Sequence, residues 1–208
     1  MSAADAGMLG YVGKVPGSRD SDAWFTPVEY VEAARKALGS IDFDPFSSDV
    51  ANEVVSALAF LTQDDDAFAT PWCEHVKRSG SVWMNPPYSR GLAPLAVGLF
   101  LDEFAAGTFG RGVVLVNNAT ETRWFQRALG LASAVCLTDH RIAFWNADGK
   151  AVSGNTRGQA FLYFGGDSRR FVRAFDRYGT ALLITNRRET PIRGPRSRKK
   201  ITMIEEGQ

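Results

Sequence analysis

The residues best suited to chemistry in this 208-residue chain are Asn85, Pro86, Pro87 and Tyr88, which follow the apolar run "SVWM". Consecutive prolines fix φ and lack N–H groups, so the backbone there is stiff and offers carbonyl oxygens without competing donors. Asn85 adds a neutral side-chain acceptor and Tyr88 adds a flat π face. Together they form a rigid corner that suits a planar group carrying an NH2, either an amide or the exocyclic amine of a base. The plain alternative is a proline-rich strand exit, since proline cannot donate to a ladder. That alternative accounts for the prolines but not for the whole tetrad. A second unusual segment, "FDPFSSD" from Phe43 to Asp49, also follows an apolar run and also contains a proline.

Positioning two such turns requires strands that end together. "TPVEYVEAARKALG" predicts a helix with Thr26 as N-cap, Pro27 at the first helical position, Glu29 completing a capping box and Gly39 at the stop. "IDFDPF" and "SVWM" read as strands, with "SALAFLT" a second apolar run between them. "LAPLAVGLFLDEFAAG" reads as a helix, "GVVLVNN" as a buried strand, and "TETRWFQRALG" as a further helix. "AVCLTD", "RIAFWN", "QAFLYFG" and "ALLITN" complete the strands, with "SRRFVRAFDRYG" helical between the last two. The alternation predicts an α/β fold with a mostly parallel sheet and an antiparallel edge, where the later strands have shorter links. In such sheets ligands bind outside the carboxyl ends of the strands. Both unusual turns fall at such ends. Only 41 positions separate Asp44 from Asn85, so the helices between them must be short or missing.

Composition narrows the class. With 45% hydrophobic, 12% aromatic and 23% charged residues, the chain has the make-up of a water-soluble domain. No apolar run reaches the length of a membrane span, and the N-terminus lacks an export pattern. A cytoplasmic location is the expectation. Cys73, Cys136, His75 and His140 are isolated from one another in sequence, so no metal site is expected. The expected organisation is a lead-in over 1–21, one domain over 22–186 and a basic tail over 187–208. The tail has seven basic and three acidic side chains, against 17 and 20 in the rest of the chain. A basic arm on a slightly acidic body fits contact with phosphates, and fits a solvated terminus equally well.

Asn-Pro-Pro-Tyr after a strand resembles the signature of amino-group methyltransferases that use S-adenosylmethionine. The wider layout is similar to the phage-encoded DNA N6-adenine methyltransferase family. It has "DAWFTP", then "FDPFSS" about twenty residues on, an acidic "DDDAF" before "PW", then "NPPYS" and a later "RIAFW". The resemblance covers about Asp22 to Gly165. It implies a compact Rossmann-like methyltransferase fold, S-adenosylmethionine as methyl donor, and adenine in DNA as acceptor. A bacterial host's cytoplasm would be the setting if the chain is phage- or prophage-encoded.

Carried over by residue, Asn85 and the Pro86 carbonyl would accept from the adenine N6 amine, with Pro87 stiffening the corner and Tyr88 stacking on the extruded base. Asp44 and its neighbours Pro45 and Phe46 would hold the methionine end of the cofactor, helped by Thr26 and Pro27. Trp24 would pack under the cofactor or close the core. Asp66 would meet the cofactor's adenine, with Asp64 and Asp65 as register alternatives. Arg90 and Arg141 are the candidate DNA contacts. The first turn lacks the glycines that a dinucleotide site needs, which argues against a nicotinamide or flavin cofactor, because S-adenosylmethionine has no phosphate to approach. RNA adenine, a protein glutamine amide and a catalytically inactive DNA-binding relative are the alternatives. The length leaves no room for a separate recognition domain, so base reading falls to residues 139–160 or the tail.

Overall fold

The helix predicted after Thr26 runs over Val28–Leu38 (α1) and ends at Gly39, whose φ of 91° and N–H bond to the Arg35 carbonyl close it. Glycine adopts that left-handed backbone without strain. Its start differs from the expectation. Pro27, not Thr26, is the N-cap residue, and no side chain caps the helix. The capping box is therefore absent, and the Thr26 hydroxyl is left for a tertiary partner.

The computed structural model describes residues 25–88, 91–146, 150–152 and 156–185. After α1 come β1 (Phe43–Asp44), α2 (Asp49–Val55), β2 (Ala59–Phe60), β3 (Ser81–Met84), α3 (Leu92–Ala105), β4 (Arg111–Asn117) and α4 (Arg123–Leu131). Then follow β5 (Ala134–Thr138), β6 (Phe144–Trp145), β7 (Ala151–Val152), β8 (Gln159–Phe164), α5 (Ser168–Phe175) and β9 (Gly179–Leu183). Seven strands form one sheet in the order β2-β1-β3-β4-β8-β5-β9, and β6 and β7 form a separate antiparallel hairpin.

The fold is mixed α/β, as expected, but its antiparallel part is more than an edge. β2, β1, β3 and β4 pair in parallel, whereas β4, β8, β5 and β9 pair antiparallel. Half of the neighbouring pairs are antiparallel because β8 inserts between β4 and β5. Those two strands share one direction but are not hydrogen-bonded to each other.

Strand alternation sends side chains to two buried faces. Val82, Met84, Val114, Val116, Leu162 and Phe164 pack with Phe100 and Leu101 of α3 and Phe125 of α4. Trp83, Val113, Leu115, Phe161 and Tyr163 pack with Val31 and Leu38 of α1 and Phe171 and Phe175 of α5. The crossover from β2 to β3 has no α-helix, as the short spacing required. Two single 3-10 turns, Gln63–Asp65 and Trp72–Glu74, replace it. Trp72, fully buried, fills the vacated volume against Phe43, Phe100 and Phe109, and its indole N–H donates to the Ala67 carbonyl at 3.1 Å.

The chain leaves β1 on one side for β2 and returns on the other side in β3. Phe43 and Val82 are partners in the ladder, so the carboxyl ends of β1 and β3 lie side by side at the point where strand order reverses. Such a switch point opens a crevice outside the strand ends.

Candidate functional site

Asn85 is the first residue beyond β3 and Asp44 the last of β1, so both stand at that crevice. The Asn85 side-chain amide donates from Nδ2 to Thr26 Oγ1 at 3.2 Å. Its Oδ1 is buried and has no hydrogen-bond partner among the described residues. A buried acceptor left unsatisfied costs about 1–3 kcal/mol, and such groups in folded proteins call for an explanation. Here one end of the amide is held by the protein, and the other is an acceptor whose capacity is unused. Pro86 is buried and Pro87 half-buried. The Pro86 carbonyl accepts no hydrogen bond among the described residues.

Tyr88 closes the corner. Its hydroxyl donates to the Leu115 carbonyl of β4 at 3.2 Å, and burial of the phenol pushes its pKa up. The side chain is thus tethered at its tip while the residue keeps some exposure. Its ring orientation is set by the sheet.

Asp44 is 3% exposed and has no ion-pair partner among the described residues. The Phe46 N–H donates to its Oδ1 at 3.2 Å. Burial nevertheless dominates and raises the Asp44 pKa to about 7. A carboxyl so placed would be stabilised by any cation brought to it. Pro45 and Phe46 form the turn beyond it, and the Ser47 N–H donates to the Leu61 carbonyl at 2.9 Å. The Phe46 ring lies 5.3 Å from that of Phe68, which is exposed, so an aromatic pair borders the turn.

The structure separates the three consecutive acids. Asp65 accepts from both the N–H and the hydroxyl of Thr62 at 2.7 Å, completing a capping box, and these bonds lower its pKa. Asp66, in the left-handed region at φ 45°, accepts from the Phe68 N–H at 3.2 Å through one oxygen. Asp65 is thus occupied by its own turn. Asp66 projects from a position that a β-branched side chain would not tolerate.

The segment after β5 is attached to this face at two points. Phe25 exchanges backbone hydrogen bonds with Trp145 of β6 at 2.9 and 3.0 Å, which ties the hairpin to the residue before Thr26. Gln159, 1% exposed, accepts from the Ile142 N–H at 3.0 Å through Oε1. It donates from Nε2 to Asn117 Oδ1 at 3.3 Å and to the Arg157 carbonyl at 2.7 Å. Phe25 lies within "DAWFTP" but has no chemistry of its own to mark it, and Gln159 does not stand out in the sequence. The only signal for Gln159 is a long amide opening the apolar run "QAFLYF", a position where a buried polar group needs partners.

Phe144 is buried and Trp145 less so, and Arg141 is exposed just before them. His140 beside it is held at both ring nitrogens, by Asp139 Oδ1 at 2.5 Å and by the Tyr30 hydroxyl at 2.6 Å. Trp24, Arg90 and the basic tail lie outside the described residues. Within the described residues the structure therefore brings Asn85, Pro86, Tyr88 and Thr26 to one corner, and Asp44, Pro45 and Phe46 to its neighbour across β1 and β3. No described helix is long and apolar enough to cross a membrane. No three His, Cys, Asp or Glu side chains among the described residues gather as metal ligands.

Among known proteins, the family model described as DNA N-6-adenine-methyltransferase (Dam) matches residues 15–174. No curated protein matches the chain.

Proposed function

Because the chain belongs to the DNA N-6-adenine-methyltransferase (Dam) family, we propose that it methylates the N6 amine of an adenine turned out of duplex DNA. The methyl donor is S-adenosylmethionine, and the acceptor corner is Asn85-Pro86-Pro87-Tyr88. The observation that carries this reading is the buried, unpartnered Oδ1 of Asn85, whose amide is oriented by Thr26.

The donor's features fit the second half of the crevice. Its methionine end carries an ammonium, and Asp44 is a buried carboxyl with no cation beside it among the described residues. Asp44, Pro45 and Phe46 would hold that end with Thr26 and Pro27 adjoining, and Asp66 would meet the adenine end beside Phe68. When bound, S-adenosylmethionine supplies an electrophilic methyl group.

The protein's part is to prepare the amine. The N6 lone pair of adenine is delocalised into the ring and is a poor nucleophile. Asn85 Oδ1 and the Pro86 carbonyl would each accept one N6 hydrogen, drawing the nitrogen towards tetrahedral geometry and freeing the pair. Positive charge grows on that nitrogen during transfer, so the two acceptors stabilise the transition state more than the ground state. The Tyr88 ring, tethered through its hydroxyl, offers a face for the base and a cation–π contribution of about 0.5–2 kcal/mol. An amide is not a base, so the surplus proton leaves to water. Extrusion of the base costs a few kcal/mol of lost stacking. Arg141, Arg90 and the basic tail are the groups proposed to repay it on phosphates. The segment around residues 139–160 reads the target.

The test is incubation with labelled S-adenosylmethionine and, separately, duplex DNA, RNA and protein, followed by nucleoside and amino-acid mass analysis. N6-methyladenine in DNA is the expected product, and Asn85→Ala should abolish it while retaining cofactor binding by calorimetry. Methylglutamine, RNA-only product or full turnover by Asn85→Ala overturns the reading.

A further inference from the structure

A second polar depression opens at the other end of the sheet, where β4 begins and β8 ends. It has a volume of about 310 Å³ and is bordered by Gly110, Arg111, Tyr163, Gly166, Asp167 and Arg170. Ser81 pairs with Arg111 at the start of β3, four residues before Asn85. At about 3.3 Å per residue the two sites are more than about 10 Å apart along the strands.

Two arginine side chains line it, and among the described residues no acid pairs with either guanidinium. Neither Arg111 nor Arg170 makes an ion pair or side-chain hydrogen bond among the described residues. The Nε of Arg111 is buried and has no hydrogen-bond partner among the described residues. A buried guanidinium N–H is a strong donor, and leaving it unmade is costly. The Arg170 guanidinium reaches across to the end of α1, so close to Gly39 that a Cβ there would sit 3.6 Å from it. Asp167 is the one acid on the rim among the described residues. One of its carboxylate oxygens already accepts from the Arg170 N–H at 3.2 Å, as the N-cap of α5. Behind Arg111, the Gly165 backbone and the Tyr163 hydroxyl are packed so tightly that a Cβ on Gly165 would lie 2.9 Å from both Tyr163 Oη and Arg111 Cβ. Tyr163 is itself 1% exposed, so a packed aromatic ring lies under the depression.

We propose that this depression is a binding site for a phosphate group, gripped between Arg111 and Arg170. Planar guanidinium forks match the oxygens of phosphate. A depression of this size admits one phosphate with a small substituent and not a duplex. Because the crevice holding Asn85 lies at the opposite strand ends, the ligand is a free phosphate or phosphomonoester and not the phosphodiester next to a methylated base. This assignment stands independently of the methyl-transfer reading.

The test is calorimetric titration of the full chain with orthophosphate at constant ionic strength, with chloride as reference. Saturable binding by the wild type, weakened at least tenfold in Arg170→Gln and in Arg111→Gln, is the expected result. Arg170 is exposed, so its variant should retain the fold, and circular dichroism checks this for both variants. A duplex oligonucleotide lacking terminal phosphates should leave phosphate affinity unchanged. A phosphate titration indistinguishable from chloride, equal binding by the folded Arg170→Gln protein, or displacement of phosphate by the duplex overturns the proposal.

Discussion

Thr26 and Asn85, 59 residues apart, are joined by a single side-chain hydrogen bond of 3.2 Å that leaves the amide oxygen of Asn85 buried and unpaired. If that bond aims the acceptor, Thr26→Val should cut turnover about a hundredfold, the scale of a 1 Å misplacement at a reacting centre. Thr26→Ser, which keeps the hydroxyl, should stay close to wild type. Single-turnover methylation of an oligonucleotide separates the two. Equal rates for valine and serine would leave Thr26 no part in aiming Asn85.

Asp44 should make the ligand-free protein less stable as pH rises. Its folded pKa of about 7 lies above the usual value of 3.8. Between the two, the folded state binds a proton that the unfolded state has released, so stability is greatest below pH 4. It falls through the interval and levels off above pH 7, by at most about 4 kcal/mol. Asp44→Asn should therefore raise Tm at pH 8 and flatten the profile, while losing most affinity for S-adenosylmethionine. In the wild type, cofactor affinity should strengthen as pH rises through about 7. Thermal melts from pH 5 to 8.5 and calorimetry over the same range check both signs.

Tyr88→Phe keeps the ring and removes the bond to the Leu115 carbonyl. The expected loss is about 0.5–1.5 kcal/mol of stability, with turnover reduced less than in Tyr88→Ala, which also removes the stacking face. Urea melts and single-turnover rates on the two variants give the comparison. Identical rates would show that the ring face does not support the base.

Gln159→Leu should destabilise the protein by about 2–4 kcal/mol. The substitution leaves the buried Ile142 N–H without its acceptor and the Asn117 and Arg157 oxygens without their donor. Urea unfolding measures the loss. Because the segment before β6 hangs on this amide, DNA affinity should fall more than cofactor affinity.

Local features of the sequence were sufficient for several elements. Gly39 ends α1 and the Pro-Pro pair ends β3 because each acts through its own backbone geometry. The 41-residue spacing of Asp44 and Asn85 already excluded a full helical crossover, and Trp72 occupies the space that one would have filled. The Asn-Pro-Pro-Tyr corner and its Asp-Pro neighbour were legible for the same reason, since residue type and strand end together define them.

Other features required the tertiary structure. Thr26 has the local pattern of a helix cap and instead serves Asn85, because the entry into α1 passes over the end of β3. The extent of antiparallel pairing depended on β8 inserting between β4 and β5, and apolar alternation does not encode which strands become neighbours. Residue types and short spacings thus determined what chemistry this chain can do and where its elements stop. Burial of Asp44, the open oxygen of Asn85 and the network of Gln159 were decided by contacts across tens of residues, which exist only once the sheet has formed.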